Sequence, residues 1–260
     1  MNDEAPDRRR DDTAPAVTAA LLVIGDEILS GRTRDKNIGY IAGYLTSIGI
    51  DLREVRVVPD VADDIVAALN ALRAGYTHVF TTGGIGPTHD DITADAVARA
   101  FGVAIDVDPR AVALLKERIP ESDLNEARLR MARIPAGAEL IENAVSKAPG
   151  FSIGNVHVMA GVPAIMQAML DALAPRLATG RRMLSRSLPA GLKEGDIAAG
   201  LGAIQARFAD VSLGSYPSYD PATGFATTIV LRARDEARLA AAEAEVRAML
   251  DEVRAGLAGR

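Results

Sequence analysis

The chain has 260 residues, 48% of them apolar, enough for one large domain or two smaller ones with a packed core. Its 35 acidic against 29 basic side chains leave a formal net charge of -6, which argues against a general basic surface for nucleic acid and leaves any phosphate to a local device. Cysteine is absent, which excludes disulfides, thiolate nucleophiles and Cys-ligated zinc; the three histidines, His78, His89 and His157, are too scattered for a zinc site.

Residues 1–16, MNDEAPDRRRDDTAPA, are charged and proline-containing without an apolar core segment, so a disordered tail is expected rather than a signal peptide. No apolar run reaches the roughly 20 residues of a membrane span, and a cytoplasmic protein is expected. AVTAALLVI (16–24) reads as a buried strand ending at Gly25, and 35–49 places Ile38, Ile41, Ala42 and Leu45 on one helical face. DLREVRVV, DDIVAALNALRAG and THVFTT continue as strand, helix and strand. Helices between strands predict right-handed βαβ units and a parallel sheet covered on both faces.

ITADAVARAFG predicts the next helix, and PRAVALLKERI and ESDLNEARLRMARI predict two more, with Pro109 and Pro120 at their starts or breaks. FSIGNVHVMAG predicts a hairpin around Gly154-Asn155, and VPAIMQAMLDALAPRLA a closing helix. Beyond it, RRMLSRSLP and FATTIVLRAR read as strands, EGDIAAGLGAIQARF and DEARLAAAEAEVRAMLDEVRAG as helices, and VSLGSYPSYDPATG as a short strand and a loop. The organisation expected is a tail over 1–16, an α/β domain over 17–180 and a small α+β module over 181–260, the last without a catalytic constellation.

Ligand sites in such sheets form at the carboxyl ends of parallel strands. Three loops lie there: GDEILSG (25–31), VPD (58–60) and TTGGIGPTHDD (81–91). Gly83, Gly84 and Gly86 carry no Cβ and can turn backbone N–H groups toward an anion, aided by the following helix N-terminus. No Gly-Lys-Ser/Thr follows, and His89 stands where a dinucleotide fingerprint has its last glycine, so neither common nucleotide signature is present. Gly-Gly and Gly-Pro are also ordinary turn dipeptides, and Asp90 or Asp91 could simply cap a helix, an interaction of about 1 kcal/mol. Asp60, Asp90 and Asp91 gathered at one sheet edge would repel one another unless a cation or protonation offsets them, and oxygen-only ligands suit Mg²⁺. His89 and Lys147, in the SKAPG loop, are candidate phosphate contacts; His78 and His157 read as structural, and the Met residues of VPAIMQAML as core.

The segments GDEILSGRTRDKN, VVPD, TTGGIGPTHDDIT, SKAPGF and AGVPAIM, in this order, resemble the molybdopterin-binding domain family. That family includes molybdenum cofactor biosynthesis proteins and the N-terminal part of CinA, and the likeness is especially close to the domain preceding the synthetase domain of FAD synthase. It runs from Val17 to Leu250. The resemblance implies a three-layer αβα fold with a mostly parallel sheet and a small C-terminal α+β module. It implies a ligand site at Thr82, Gly83, Gly84, Gly86, Pro87, Thr88, His89, Lys147 and Gly161, facing molybdopterin or a nucleotide pyrophosphate. Asp60 and Asp91 match two acidic positions important in the adenylyltransferase branch, and Asp26, Glu27, Ser30 and Asn37 match the first loop. Ala160 stands where relatives usually have proline. The amidohydrolase domain of full-length CinA and the synthetase domain of FAD synthase are not in this sequence, and neither activity is expected.

The activity implied is metal-dependent hydrolysis of a dinucleotide pyrophosphate such as ADP-ribose or FAD, with Asp60, Asp90 and Asp91 as catalytic residues holding Mg²⁺ or another divalent ion. The alternatives are a molybdopterin carrier, a molybdopterin adenylyltransferase, or an interaction module with a vestigial pocket. A homo-oligomer, dimer or trimer, is expected, with neither nucleic acid nor membrane as partner.

Overall fold

The computed structural model describes residues 16–220 and 224–258, so the tail expected over 1–16 lies outside the described residues apart from Ala16. Two compact units are present, one ending at Gly180 and one beginning at Arg181.

The first unit opens with β1 (Thr18–Ile24), α1 (Asp26–Leu29), α2 (Asn37–Ser47), β2 (Asp51–Val58), α3 (Ala62–Gly75), β3 (His78–Thr82) and α4 (Thr93–Phe101). It continues through β4 (Ile105–Val107), α5 (Pro109–Lys116), α6 (Glu126–Leu129), β5 (Arg133–Pro135), β6 (Glu139–Ile141), β7 (Gly150–Ile153), β8 (Val156–Met159) and α7 (Pro163–Leu173). The six-stranded sheet has the order β2-β1-β3-β8-β7-β6, parallel from β2 to β8 and antiparallel at β7 and β6.

Alternation along β1 builds both outer layers. Ala20, Leu22 and Ile24 pack with Ile65, Leu69 and Leu72 of α3 and Val97 of α4. Ala19, Leu21 and Val23 pack with Ile41 and Leu45 of α2 and with Met166, Met169, Leu170 and Leu173 of α7. A strand buried on both faces reads as an unbroken apolar run, which is why β1 shows no polar alternation.

One expected helix needs correction here. The helix predicted over ESDLNEARLRMARI is broken into a 3₁₀ turn at Glu121–Asp123, the short α6, a second 3₁₀ turn at Arg130–Ala132, and β5. Asn125 caps α6 by accepting the Arg128 N–H, starting a new helix inside the segment. β5 pairs antiparallel with β4, and burial of Ala132 and Ile134 against the core outweighs the segment's helical spacing. The strands β4, β5 and β6 have three residues each, too few to show a period.

The second unit comprises β9 (Leu184–Pro189), α8 (Glu194–Arg207), β10 (Ser212–Asp220), β11 (Gly224–Ala233) and α9 (Glu236–Ala258). Its antiparallel sheet, ordered β10-β11-β9, buries Leu188, Ile229 and Leu231 against Ile197, Ile204, Leu239 and Val246 of the helices. Where a short strand and a loop are predicted, β10 is a nine-residue edge strand. Its Pro217, which reads as a strand breaker, is tolerated because an edge strand does not need every N–H. Among the described residues, no helix is long and apolar enough to cross a membrane.

One buried polar chain crosses the first unit's sheet. His78 Nε2 lies 3.0 Å from the Ala178 carbonyl, His78 Nδ1 lies 3.1 Å from His157 Nε2, and His157 Nδ1 lies 2.9 Å from Ser152 Oγ. The Ala178 carbonyl can only accept, so His78 carries its proton on Nε2, His157 donates from Nε2, and Ser152 donates to His157 Nδ1. Both rings are neutral in this arrangement. Burial lowers both pKa values, that of His157 to about 3 with further repulsion from His78 and Arg176. A folded pKa below the unfolded value near 6.5 means that the unfolded chain takes up the proton first, so stability is full above about pH 6.5 and falls toward pH 3. Denaturant titrations should show about 2 kcal/mol lost from this group between pH 7 and pH 5, and His157→Gln should flatten that part of the profile.

Candidate functional site

The parallel strands β1, β2, β3 and β8 deliver their following loops to one edge of the sheet. After β3 the chain turns through Gly83 (φ 102°) and Gly84 (φ 66°), conformations that favour glycine. A Cβ on Gly83 would sit 2.1 Å from the Ile24 carbonyl oxygen, so the first and third loops meet backbone to backbone. On the other side, a Cβ on Gly161, in the loop after β8, would lie 3.3 Å from Gly83 Cα. Thr93, buried at the start of α4, fastens the turn: its Oγ1 donates to the Gly83 carbonyl (2.9 Å) and its N–H to the Gly84 carbonyl (3.0 Å). The Asn37 side chain ties in α2 by donating from Nδ2 to the Gly161 carbonyl (2.8 Å). The Gly83 amide, expected to face an anion, instead donates to the Met159 carbonyl (3.2 Å), so Gly83 contributes its bare Cα while Gly84 and Gly86 follow it in the turn.

The acidic residues divide into two sets. Asp60 Oδ2 accepts the Asp26 N–H (2.9 Å), joining the second loop to the first. Burial raises the Asp60 pKa, the Asp26 N–H opposes that rise, and the carboxylates of Asp26, Glu27 and Asp90 add to it. Asp90 is exposed. Asp91 turns elsewhere. Its Oδ2 accepts both the N–H (2.8 Å) and the hydroxyl (2.6 Å) of Thr88, and its backbone carbonyl accepts from Arg130 Nη2 (3.3 Å). The joint metal site expected of Asp60, Asp90 and Asp91 is therefore corrected: among the described residues, no group of three or more His, Asp or Glu side chains is arranged to hold a metal ion.

Above the glycine turn lies a cavity of about 920 Å³. Gly83, Gly84, Gly86, Pro87, Asp91 and Glu27 line it together with an apolar wall that includes Ile119, Met131, Ile165 and Met169. A second lobe of about 210 Å³, reaching Asn37 and Thr82, shares Glu27, Thr33, Gly83, Gly161 and Pro163 with the first. Such a site offers close backbone approach for an anion beside an apolar bed for a ring.

Residues 20–179 match the family described as "Probable molybdopterin binding domain". The chain belongs to this molybdopterin-binding domain family. Residues 182–255 match a second family, the FAD synthase middle domain. A protein of Thermoplasma acidophilum is 37% identical over 159 residues, which are 60% of this chain and 62% of that protein, so the match spans under two thirds of that relative's length. A protein of Thermococcus kodakarensis is 38% identical over 179 residues, 63% of this chain and 70% of its own. The crystal structure of CinA from Thermoplasma acidophilum covers 62% of this chain and 98% of its own at 36% identity, with a TM-score of 0.59. The three-layer, mostly parallel architecture is the one this family shares.

Not every residue picked out by the family motif reaches the cavity of this molybdopterin-binding domain. Ser30 is exposed at the end of α1, and the His89 side chain is almost wholly exposed, its Nδ1 4.0 Å from Asp90 Oδ1. Lys147, expected to meet a phosphate, adopts φ 64° and pairs through Nζ with Glu117 Oε2 (2.6 Å). Its neighbour Ser146 and the guanidinium-bearing Arg118 line the large lobe instead, and Arg118 Nη1 donates to the Val145 carbonyl. Sequence reasoning passed over Arg118, Arg130 and Thr93. Arg118 follows the last turn of α5, where a cation ordinarily serves the helix dipole, and nothing local points to its cavity role. Gly83→Ala should cost about 3 kcal/mol in a denaturant titration, because the new Cβ meets backbone and φ is strained. Gly86→Ala should cost less, about 1 to 2 kcal/mol, because the atom it meets is Asp91 Oδ2, a side-chain oxygen that can shift by loosening its bonds from Thr88.

Proposed function

We propose that this molybdopterin-binding-type domain binds a phosphorylated ring ligand across the glycine turn and hydrolyses a dinucleotide pyrophosphate such as ADP-ribose or FAD. The observation that carries this reading is Asp60, a half-sequestered carboxyl whose proton affinity is raised by burial and by three neighbouring carboxylates. Like charges drawn together beside close-approaching backbone are what a cation bridged to phosphate would offset. Two carboxylates with water and ligand phosphates suffice for Mg²⁺, and the oxygen-only donor set here fits it, with Asp60 and Asp90 as the residues that would hold it. When bound, such an ion neutralises charge developing on the phosphoryl oxygens.

The chain's own groups supply the rest. The turn at Gly84 and Gly86 gives a phosphate close access to backbone, and Arg118 adds a cation from the facing wall. Asp91 is oriented by Thr88 through Oδ2, leaving Oδ1 to accept a proton from the attacking water. That water's oxygen bonds to one phosphorus as the bridging P–O bond breaks, and the second phosphate leaves with the bridging oxygen. The apolar wall of Ile119, Met131, Ile165 and Met169 receives the ring and excludes bulk water. The match of residues 182–255 to a FAD synthase middle domain supports a flavin dinucleotide among the substrates.

Incubating the pure protein with ADP-ribose or FAD and each of Mg²⁺, Mn²⁺ and Co²⁺, with product detection, tests the reading. Turnover should fall about 100-fold or more in Asp91→Asn with ligand binding retained. Turnover with none of the metals rejects hydrolysis. Protein isolated from a pterin-producing host and carrying a pterin by mass spectrometry would then favour the carrier role.

A further inference from the structure

Two residues lining the smaller lobe each carry a polar atom that the chain leaves unsatisfied. Asn37 is 4% exposed and Thr82 1% exposed, and both line this lobe. Asn37 Oδ1 and Thr82 Oγ1 are buried without a hydrogen-bond partner. The Asn37 amide cannot be turned over to relieve this, because its Nδ2 must face the Gly161 carbonyl, which only accepts. Its Oδ1 is thus fixed as an acceptor. A buried group in this state costs stability until something donates to it, and two in one cavity call for a common occupant.

The lobe is poorly suited to phosphate. The first amides of α2, which could otherwise hold an anion, are already bonded to Asp35 Oδ1, from Asn37 N at 3.0 Å and from Ile38 N at 2.7 Å. Arg34 and Lys36 on its lining are balanced by Asp35 and Glu27. An acceptor-only Asn37 Oδ1 repels a phosphoryl oxygen and attracts an O–H or N–H.

We propose that this lobe is a recognition subsite for a hydroxyl- or amino-bearing head group, which donates to Asn37 Oδ1 and exchanges a hydrogen bond with Thr82 Oγ1. The phosphate of the same ligand then lies on the glycine side, which sets the direction in which the ligand spans the two lobes. The inference rests on the reading under Proposed function and adds the polarity of one end of its ligand.

Thr82→Val is the decisive variant, since it keeps the shape and removes only a hydroxyl without a partner in the chain. Without ligand, its Tm should equal or exceed that of the unsubstituted protein. Calorimetric titration with ADP-ribose should show affinity reduced about tenfold, the value of one lost hydrogen bond. Pyrophosphate, which has no sugar or base, should bind both proteins alike. Inosine diphosphate ribose separates the sources: reduced binding names the base amino group as donor, and unchanged binding names the sugar hydroxyls. ADP-ribose binding undiminished in Thr82→Val, or a Tm lowered by several degrees, overturns the inference, because the lobe then holds water only or the hydroxyl serves the fold. Pyrophosphate binding by the unsubstituted protein without ADP-ribose binding also overturns it and leaves phosphate recognition standing. Failure to bind either probe overturns the proposed function and this subsite with it.

Discussion

The space between the Ile24 carbonyl and Gly83 Cα admits no side chain, and the site is arranged around that exclusion. Three loops leaving parallel strands can share one edge only if their backbones approach within van der Waals distance there. Gly83 touches the first loop on one side and Gly161 of the last loop on the other. Thr93 then fixes the turn to the start of α4, and Asn37 fixes the loop after β8 to the start of α2. The hydrogen bonds spent on closure are those of Gly83 and Thr93, so the turn is held rigid before any ligand arrives, which is the condition for binding without an ordering cost.

Electrostatics complement that geometry. An acidic chain cannot attract an anion by net charge, so attraction must come from close backbone approach and from a few placed cations. Asp60, crowded by Asp26, Glu27 and Asp90, holds negative charge at the edge of the site, while Asp91 is kept apart by its two bonds from Thr88. Neighbouring residues in sequence thereby have different surroundings: Asp90 faces solvent and Asp91 faces the cavity. The separation gives two adjacent carboxylates room for different tasks.

The wall opposite the glycine turn shows a similar division of labour. Lys147 and Arg118 both belong to the contact between the 143–148 loop and the end of α5. Lys147 is committed to Glu117, and Arg118, while holding the Val145 carbonyl, still lines the large lobe. Buried Asn143 shapes the loop between them, accepting from the Val145 and Ser146 amides and donating to the Ala148 carbonyl. A loop braced in this way presents Ser146 to the cavity beside Arg118 of the α5 end, while its lysine stays on Glu117.

Apart from the four-residue α1, which lies in the segment read as the loop 25–31, the chain by itself determined the succession of strands and helices through α4, the hairpin at Gly154-Asn155, and the place of the glycine loop, because periodicity and turn chemistry act between residues a few positions apart. It also carried the family likeness, since GGIGPTHDD and its companions are contiguous. The fate of 121–134 was not legible, because β5 exists only by pairing with β4 and burying Ile134 in a distant core. Nor could it show that Asp60 would meet Asp26, that Arg118 rather than Lys147 would line the large lobe, or that Asn37 and Thr82 would share one lobe. Those outcomes depend on which side chains the sheet brings together from segments far apart in the chain, and long-range packing and burial, which no local pattern encodes, decided them.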